Sequence, residues 1–192
     1  VAPWPGPGLL RIRAYDHSMA DPWHSPDPLL QPLLDASRER FVLDPYGYHG
    51  PVHWQRVYLN ASLICEGEGI DSLVPRCFAF LHDSCRLDEH IDAGHGARAA
   101  EFAIGLREQG VLPPMSDERF DLLVYACRHH SGRLQEAEPE VMACWDADRL
   151  DLLRVGIVPD PRRLCTPFAR LEETIDGACK RAMDWLEDRG WA

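Results

Sequence analysis

Apolar side chains recur every three or four residues along most of the chain from Pro51 onward, and this period limits the possible folds most strongly. Pro51 suits the first turn of a helix, because its missing N–H has no partner there. An earlier helix is expected over residues 29–40. The same period predicts further helices over residues 51–64, 71–85, 95–109, 116–131, 139–153 and 167–188. The sequence therefore predicts an all-α protein, a helical bundle with short connections.

The N-terminal arm has a different composition. Residues 1–28 contain PWPGPG and DPWHSPDP, and proline at this density blocks helix interiors. Within the arm, LLRIRAY is compatible with one short strand. Because 192 residues suit one domain, we expect residues 1–43 to form an irregular arm with the first helix. Residues 44–192 are expected to form the helical domain.

Charge and hydropathy exclude two classes of partner. A formal net charge of -11 repels the phosphate backbone, so we expect no nucleic acid polymer as a partner. A small phosphorylated substrate stays compatible with this charge, because a bound metal cation can dominate the local field. No apolar run approaches the ~20 residues that cross a bilayer. VAPWPGPG also lacks the basic and apolar regions of a secretory signal. These features predict a soluble, cytoplasmic protein.

The segment FAFLHD places a histidine and an aspartate directly after a buried helical stripe. Phe78 and Leu81 lie within one turn of His82 and Asp83, so at least one of the two polar side chains must face the core. A buried carboxylate is costly unless it is paired or bound to a metal. The doublet therefore indicates a polar centre inside the bundle.

Three more histidines share a face with apolar residues in their predicted helices. They are His53, His95 and His130. One such histidine is usually a satisfied core residue, but four of them together with an aspartate favour a metal centre. His129 points about 100° away from His130 and is expected at the surface. The two loop histidines contribute less to the prediction: His49 is expected near the centre or exposed, and His90 reaches it only if its loop folds over.

The segment CWDADRLDL offers two carboxylates for the same centre. Asp146 and Asp148 differ by about 200° around a helix and cannot both reach one metal. Helical periodicity leaves both possible, because each shares its side with apolar neighbours.

The ordered pattern of His53, the doublet and a later aspartate resembles the H...HD...D signature of the HD superfamily of metal-dependent phosphohydrolases. HWQRV is similar to the family's first-ligand segment, and FAFLHD to the apolar approach to the doublet. The A-D-x-L context at Ala147 favours Asp148 as the last ligand. Members with two metals carry two more histidines, and GHGARAA and CRHHSGR resemble those segments. The resemblance covers most of the chain after Tyr48.

This resemblance implies a ligand set and a cofactor. The implied ligands are His53, His82, Asp83, His95, His130 and Asp148. They would hold one or two divalent ions, with Asp83 as the bridge if there are two. Mixed imidazole and carboxylate ligands do not distinguish iron, manganese, zinc, cobalt and nickel.

The resemblance also suggests residues that act on the substrate. Asp83 could orient the attacking water, and Arg86 lies where relatives carry a residue that acts on the substrate. For Arg86 a surface salt bridge with Asp88 or Glu89 is the alternative. Further candidates for holding phosphate, each with a solvated helix face as its alternative, are Arg128, Arg133 and Arg149.

We therefore expect a hydrolase that cleaves a phosphate ester or anhydride of a small phosphorylated metabolite or nucleotide. The first alternative is a di-iron oxygenase of the same superfamily, which would use the same six ligands with dioxygen on a small polar substrate. The second is a module that binds a nucleotide without turnover, which the complete ligand set disfavours. A purely structural metal is disfavoured as well, because such sites usually close with four ligands, often cysteines.

Overall fold

The computed structural model describes residues 22–132 and 134–190. All regular structure within these ranges is helical, with no strand, so the predicted all-α fold is confirmed. Short 3-10 turns lie at Pro28–Leu30, Leu152–Val155 and Pro161–Arg163. The α-helices are α1 Gln31–Arg40, α2 Pro51–Glu68, α3 Leu73–Leu81, α4 His95–Glu108, α5 Asp117–His129, α6 Pro139–Arg149 and α7 Glu172–Asp188.

Local signals set several of these boundaries. Pro51 lies in the first turn of α2, which ends where Gly69 takes the left-handed conformation at φ 68°. Ser116 caps α5, and its hydroxyl accepts a hydrogen bond from the backbone N–H of Arg119. The starts of both helices follow the sequence expectation closely, whereas α2 continues to Glu68, beyond the predicted end at residue 64.

Three predicted helices are shorter in the structure. The α3 helix ends at Leu81, because Ser84 turns back on it: both the backbone N–H and the hydroxyl of Ser84 donate to the Leu81 carbonyl. The α6 helix ends at Arg149 and continues as the 3-10 turn Leu152–Val155. The last helix begins at Glu172 instead of residue 167. Ahead of it, the backbone N–H of Phe168 donates to the Glu68 carboxylate at 2.5 Å and turns the chain.

The core lies between α2, α3, α5 and α6. The α2 helix packs against α3 and α6, and α3 also packs against α1 and α5, while α4 pairs with α5. The large side chains at the centre, among them Trp54, Phe78, Leu123 and Trp145, have no exposed surface. The ends of α3, α5 and α6 therefore meet beside the first turn of α2.

Part of the N-terminal arm lies against this bundle. The Gln55 side-chain amide donates to the backbone carbonyls of Pro22 and His24 at 3.1 and 3.0 Å, which places residues 22–24 on α2. The rest of the arm, with the possible strand LLRIRAY, lies outside the described residues. Over the described ranges, no helix combines the length and the apolar character needed to cross a membrane.

Candidate metal centre

Three helices bring the first group of polar side chains together. His53 comes from the first turn of α2, His82 from the end of α3 and Asp148 from the last turn of α6. The His53 and His82 Nε2 atoms lie 3.1 Å apart. The Asp148 Oδ1 atom is 3.5 Å from the first of these nitrogens and 3.7 Å from the second. Residues that are far apart in the sequence therefore converge on one small volume.

A second group lies next to the first, and Asp83 belongs to both. The Asp83 Oδ2 atom is 3.5 Å from each Nε2 atom of His53 and His82. Its other oxygen, Oδ1, is 3.4 Å from His95 Nε2 and 3.6 Å from His130 Nε2. Those two nitrogens are 2.8 Å apart. One carboxylate thus presents each of its oxygens to a separate pair of histidines.

All four histidines use their Nδ1 atoms elsewhere. His53 Nδ1 lies 2.7 Å from the Asp151 carboxylate, and His82 and His130 Nδ1 lie 3.2 and 2.7 Å from backbone carbonyls. His95 Nδ1 also contacts a backbone carbonyl, that of residue 92. Because these oxygens only accept, each Nδ1 carries the proton and each neutral ring keeps a bare lone pair at Nε2. Lone pairs facing each other repel, and a cation between them would remove the repulsion.

The donor set fits metal binding in geometry and in chemistry. Two atoms that each lie about 2.1 Å from one ion are separated by roughly 3 to 4 Å, and the separations around Asp83 and Asp148 match this range. Within the described residues, the buried Oδ1 atoms of Asp83 and Asp148 also have no hydrogen-bond partner. Each of the two residue groups could therefore hold one divalent ion.

The charge states match those that a cation needs. Burial lowers the pKa of His82 to about 3 and also lowers that of His95. Burial alone would raise the pKa of the Asp83 and Asp148 carboxyls, but the histidines around them outweigh it and hold both below their usual range. Arg154 contributes in the same direction at Asp148. The neutral imidazoles of His82 and His95 therefore face ionised carboxylates near neutral pH.

The overall shape has a counterpart among solved structures. A crystal structure of a predicted HD superfamily hydrolase from an uncultured Thermotogales bacterium aligns with a TM-score of 0.61 and 25% sequence identity. The alignment covers 86% of this chain and 94% of that one. The chain is therefore similar in fold to this predicted HD superfamily protein. Family models and curated protein sequences were also compared with it, and none matches.

The remaining aspartate and histidine candidates lie outside the two groups. Asp146 is fully buried and accepts hydrogen bonds from the backbone N–H groups of Cys165 and Thr166, so it holds the chain after α6 in place. His129 packs its ring against Tyr125, with centroids 4.5 Å apart. His90 is exposed on its loop.

Arg86 lies inside the centre and not in a surface salt bridge. Its side chain is only 8% exposed, and NH1 is 3.5 Å from both Asp83 Oδ1 and His95 Nε2. Its other nitrogens donate to the backbone carbonyls of Asp88 and His90. Arg86 therefore holds the loop that follows the doublet and keeps a positive charge next to the shared carboxylate.

The other three arginine candidates have different positions. Arg128 pairs with Glu101 on the exposed surface. Arg149 lines a cavity next to the centre, but its guanidinium donates to the carbonyls of residues 132, 134 and 163. Arg133 lies outside the described residues.

Sequence reasoning did not identify two buried residues beside the ligands. The Asp151 carboxylate accepts from His53 Nδ1 and from the Arg56 guanidinium. Arg154 NH2 lies 3.6 Å from Asp148 Oδ1. The sequence did contain a signal for them. Asp148, Asp151 and Arg154 are three residues apart, which places them on one side of a helix end that narrows to a 3-10 turn.

His49 and Glu89 form a partly buried contact beside the centre. His49 Nδ1 lies 2.6 Å from a Glu89 carboxylate oxygen, and the ring lies edge-on to His53. Burial lowers the pKa of His49 to about 3, so its ring stays neutral. The contact closes the centre on the side of the loop that leads into α2.

Replacing Asp151 with asparagine is expected to weaken metal binding about 10- to 100-fold, because His53 loses the carboxylate that orients its ring. Metal titration of the folded variant measures the effect. Asp184→Asn removes a carboxylate that pairs with Lys180 on the surface and is the matched control. Equal metal affinities for the two folded variants would contradict the orienting role of Asp151.

Proposed function

We propose that this protein is a metal-dependent phosphohydrolase that cleaves an ester or anhydride bond of a small phosphorylated metabolite or nucleotide. In this proposal His53, His82 and Asp148 hold one divalent ion and His95 and His130 hold a second, with Asp83 as the bridge. The observation that carries the proposal is the position of Asp83, which presents one oxygen to each pair of histidines. Ions bound there would lower the pKa of a coordinated water and neutralise phosphoryl oxygens.

Two buried arginines add support for an anionic substrate. Arg86 and Arg154 lie within 4 Å of the carboxylates of Asp83 and Asp148, one on each side of the centre. Phosphoryl transfer depends mainly on positioning and on positive charge around the transferred group. In the proposed reaction Arg86 contacts a phosphoryl oxygen, and Asp83 orients the attacking water.

The oxygenase and the non-catalytic module use the same ligands, so the choice between the three functions depends on what surrounds them. The two guanidinium groups favour a phosphorylated substrate over an uncharged one. The name of the Thermotogales protein, a predicted hydrolase, points in the same direction.

The direct test is hydrolysis by the metal-loaded protein, assayed on phosphate monoesters, diesters and anhydrides with each of the five candidate metals. We expect phosphate release, and we expect Arg86→Gln to lower kcat about 100- to 1,000-fold because it removes charge stabilisation at the transferred group. Arg119→Gln is the control, because Arg119 pairs with Asp71 on the surface. Substrate-dependent oxygen uptake by the iron form, without phosphate release from any compound, would favour the oxygenase instead. Nucleotide binding without any product would favour the module.

Acidification is expected to remove the two ions one after the other. Burial lowers the pKa of His130, but the nearby carboxylates of Asp83 and Asp148 outweigh burial and raise it. A raised pKa means that His130 binds a proton first as the pH falls, whereas His82, with a pKa of about 3, stays neutral. Because only neutral imidazole binds a metal, we expect roughly two ions near pH 8 and roughly one near pH 5. Metal analysis after dialysis measures this, and simultaneous loss of both ions would contradict it.

A further inference from the structure

A cavity of about 750 Å³ opens directly beside the metal centre. His130 and Asp148 form its inner end. Its walls come from Ser131, Gly132 and Gln135 after α5 and from residues between Arg149 and Leu164 at and after the end of α6. This volume falls within the range of sites that enclose a nucleotide-sized molecule. A substrate with its phosphoryl group at the ions would therefore extend the rest of its structure into this cavity.

The shape of the cavity is fixed by hydrogen bonds across it. The Arg149 guanidinium donates to the carbonyls of Leu134 and Arg163 at 2.6 and 3.0 Å, and so joins the two walls. The Gln135 side-chain amide donates to the Arg162 carbonyl at 2.7 Å and makes a second connection. Arg149 is thereby occupied with backbone groups, and we infer that it shapes the cavity instead of contacting the substrate.

One wall of the cavity is apolar and accessible. It contains Leu152, the exposed Ile157 and Val158, and Leu164, which is only 1% exposed. Ile157 is 53% exposed and Val158 is 66% exposed, and both line the cavity that also contacts His130 and Asp148. When an apolar ligand group covers solvent-exposed apolar surface, the free energy of the complex falls. The wall therefore favours a substrate with an apolar part.

A free cation lies at the rim of the same cavity. Within the described part of the chain, the Arg163 guanidinium makes no hydrogen bond or ion pair, whereas the neighbouring Arg162 pairs with Asp160. That pair also neutralises the Asp160 carboxylate, which lines the cavity. Arg163 is thus available to a substrate group that carries negative charge or accepts hydrogen bonds.

We propose that the substrate is a phosphate compound with a bulky apolar or aromatic group, which lies on the wall of Leu152, Ile157, Val158 and Leu164 while Arg163 contacts a polar group at the rim. This inference rests on the proposed function for the position of the phosphoryl group. It specifies the class of the substrate. A phosphate compound whose other part is small and polar would neither cover the apolar wall nor reach Arg163 at the rim. A nucleobase and an alkyl chain share the required chemistry.

Equilibrium binding to the metal-loaded protein tests the inference without requiring turnover. The probes are adenosine 5′-monophosphate, octyl phosphate and glycerol 3-phosphate, measured by calorimetry. We expect the first or the second to bind at least about tenfold more tightly than glycerol 3-phosphate, the factor expected for filling an apolar pocket. Whichever of the two binds more tightly identifies the apolar group as a base or a chain.

Matched variants locate the preference on the wall and the rim. Val158→Ser is expected to remove most of the tenfold preference, whereas Val42→Ser, at 65% exposure and outside the cavity lining, leaves it unchanged. Arg163→Gln is expected to weaken binding of the preferred probe several-fold, with Arg119→Gln as its control. Equal affinities for all three probes, or a preference that persists in Val158→Ser, would overturn the inference. Absence of phosphate release with the preference intact would instead contradict the proposed function alone.

Discussion

Asp83→Asn is expected to bind at most roughly one ion and to lose about a thousandfold or more in kcat/KM, because an amide cannot bridge two cations or accept as a carboxylate does. Asp83 is the one described residue that presents an oxygen to each pair of histidines, so its replacement affects both halves of the centre. Metal analysis and steady-state kinetics measure the two effects.

The thermal stability of the same variant provides a readout of its own. The Asp83 Oδ1 atom is buried without a hydrogen-bond partner among the described residues, so in the metal-free protein its charge is offset by Arg86 at 3.5 Å but is not hydrogen-bonded. Removing that charge is expected to leave Tm of the metal-free protein equal or higher. The rise in Tm on adding metal, which reflects binding to the folded state, should largely disappear. A variant that binds two ions and keeps the full metal-dependent rise would contradict the bridging role.

A comparison of Asp148→Asn with Asp146→Asn is expected to separate metal binding from folding at two nearby carboxylates. Asp148→Asn should lose one ion and about a hundredfold or more in activity, because Asp148 Oδ1 faces His53 and His82. Asp146→Asn should keep both ions. It should lower the free energy of unfolding by about 2 kcal/mol, because Asp146 accepts hydrogen bonds from the chain after α6.

Each variant is thus the control for the other, since both change a carboxylate to an amide on the same helix. Metal content together with denaturant unfolding distinguishes the two effects. Loss of metal in Asp146→Asn with normal metal content in Asp148→Asn would contradict the ligand assignment and would favour the other choice that periodicity allowed.

The spacing of apolar residues every three or four positions was enough to predict the fold class, because this spacing is a local property of the sequence. They did not predict where α3 and α6 end. At Leu81 the Ser84 hydroxyl competes for the carbonyl, and after Arg149 the chain tightens into a 3-10 turn. Both ends lie at the metal centre. The chain leaves the helical path there, and Asp83 and Asp148 point into the centre.

The ligand candidates could be proposed from residue types and their order, but their surroundings could not. The contact of His53 with Asp151 joins residues 98 positions apart, and that of His49 with Glu89 joins residues 40 apart. Such contacts leave no local pattern in the sequence from which they could be predicted, because they depend on how whole helices pack against each other. Arg149 shows the same limit: its position on α6 suggested a phosphate contact, and only the tertiary structure shows that its donors bind backbone carbonyls.

The most direct measurement is anomalous diffraction from crystals of the protein grown with manganese or cobalt. We expect two anomalous peaks about 3.5 to 4 Å apart with the Asp83 carboxylate between them, one beside His53 and His82 and one beside His95 and His130. A single peak that Asp83 does not contact, or ions bound only at surface carboxylates, would contradict the two-ion centre on which the proposed function depends.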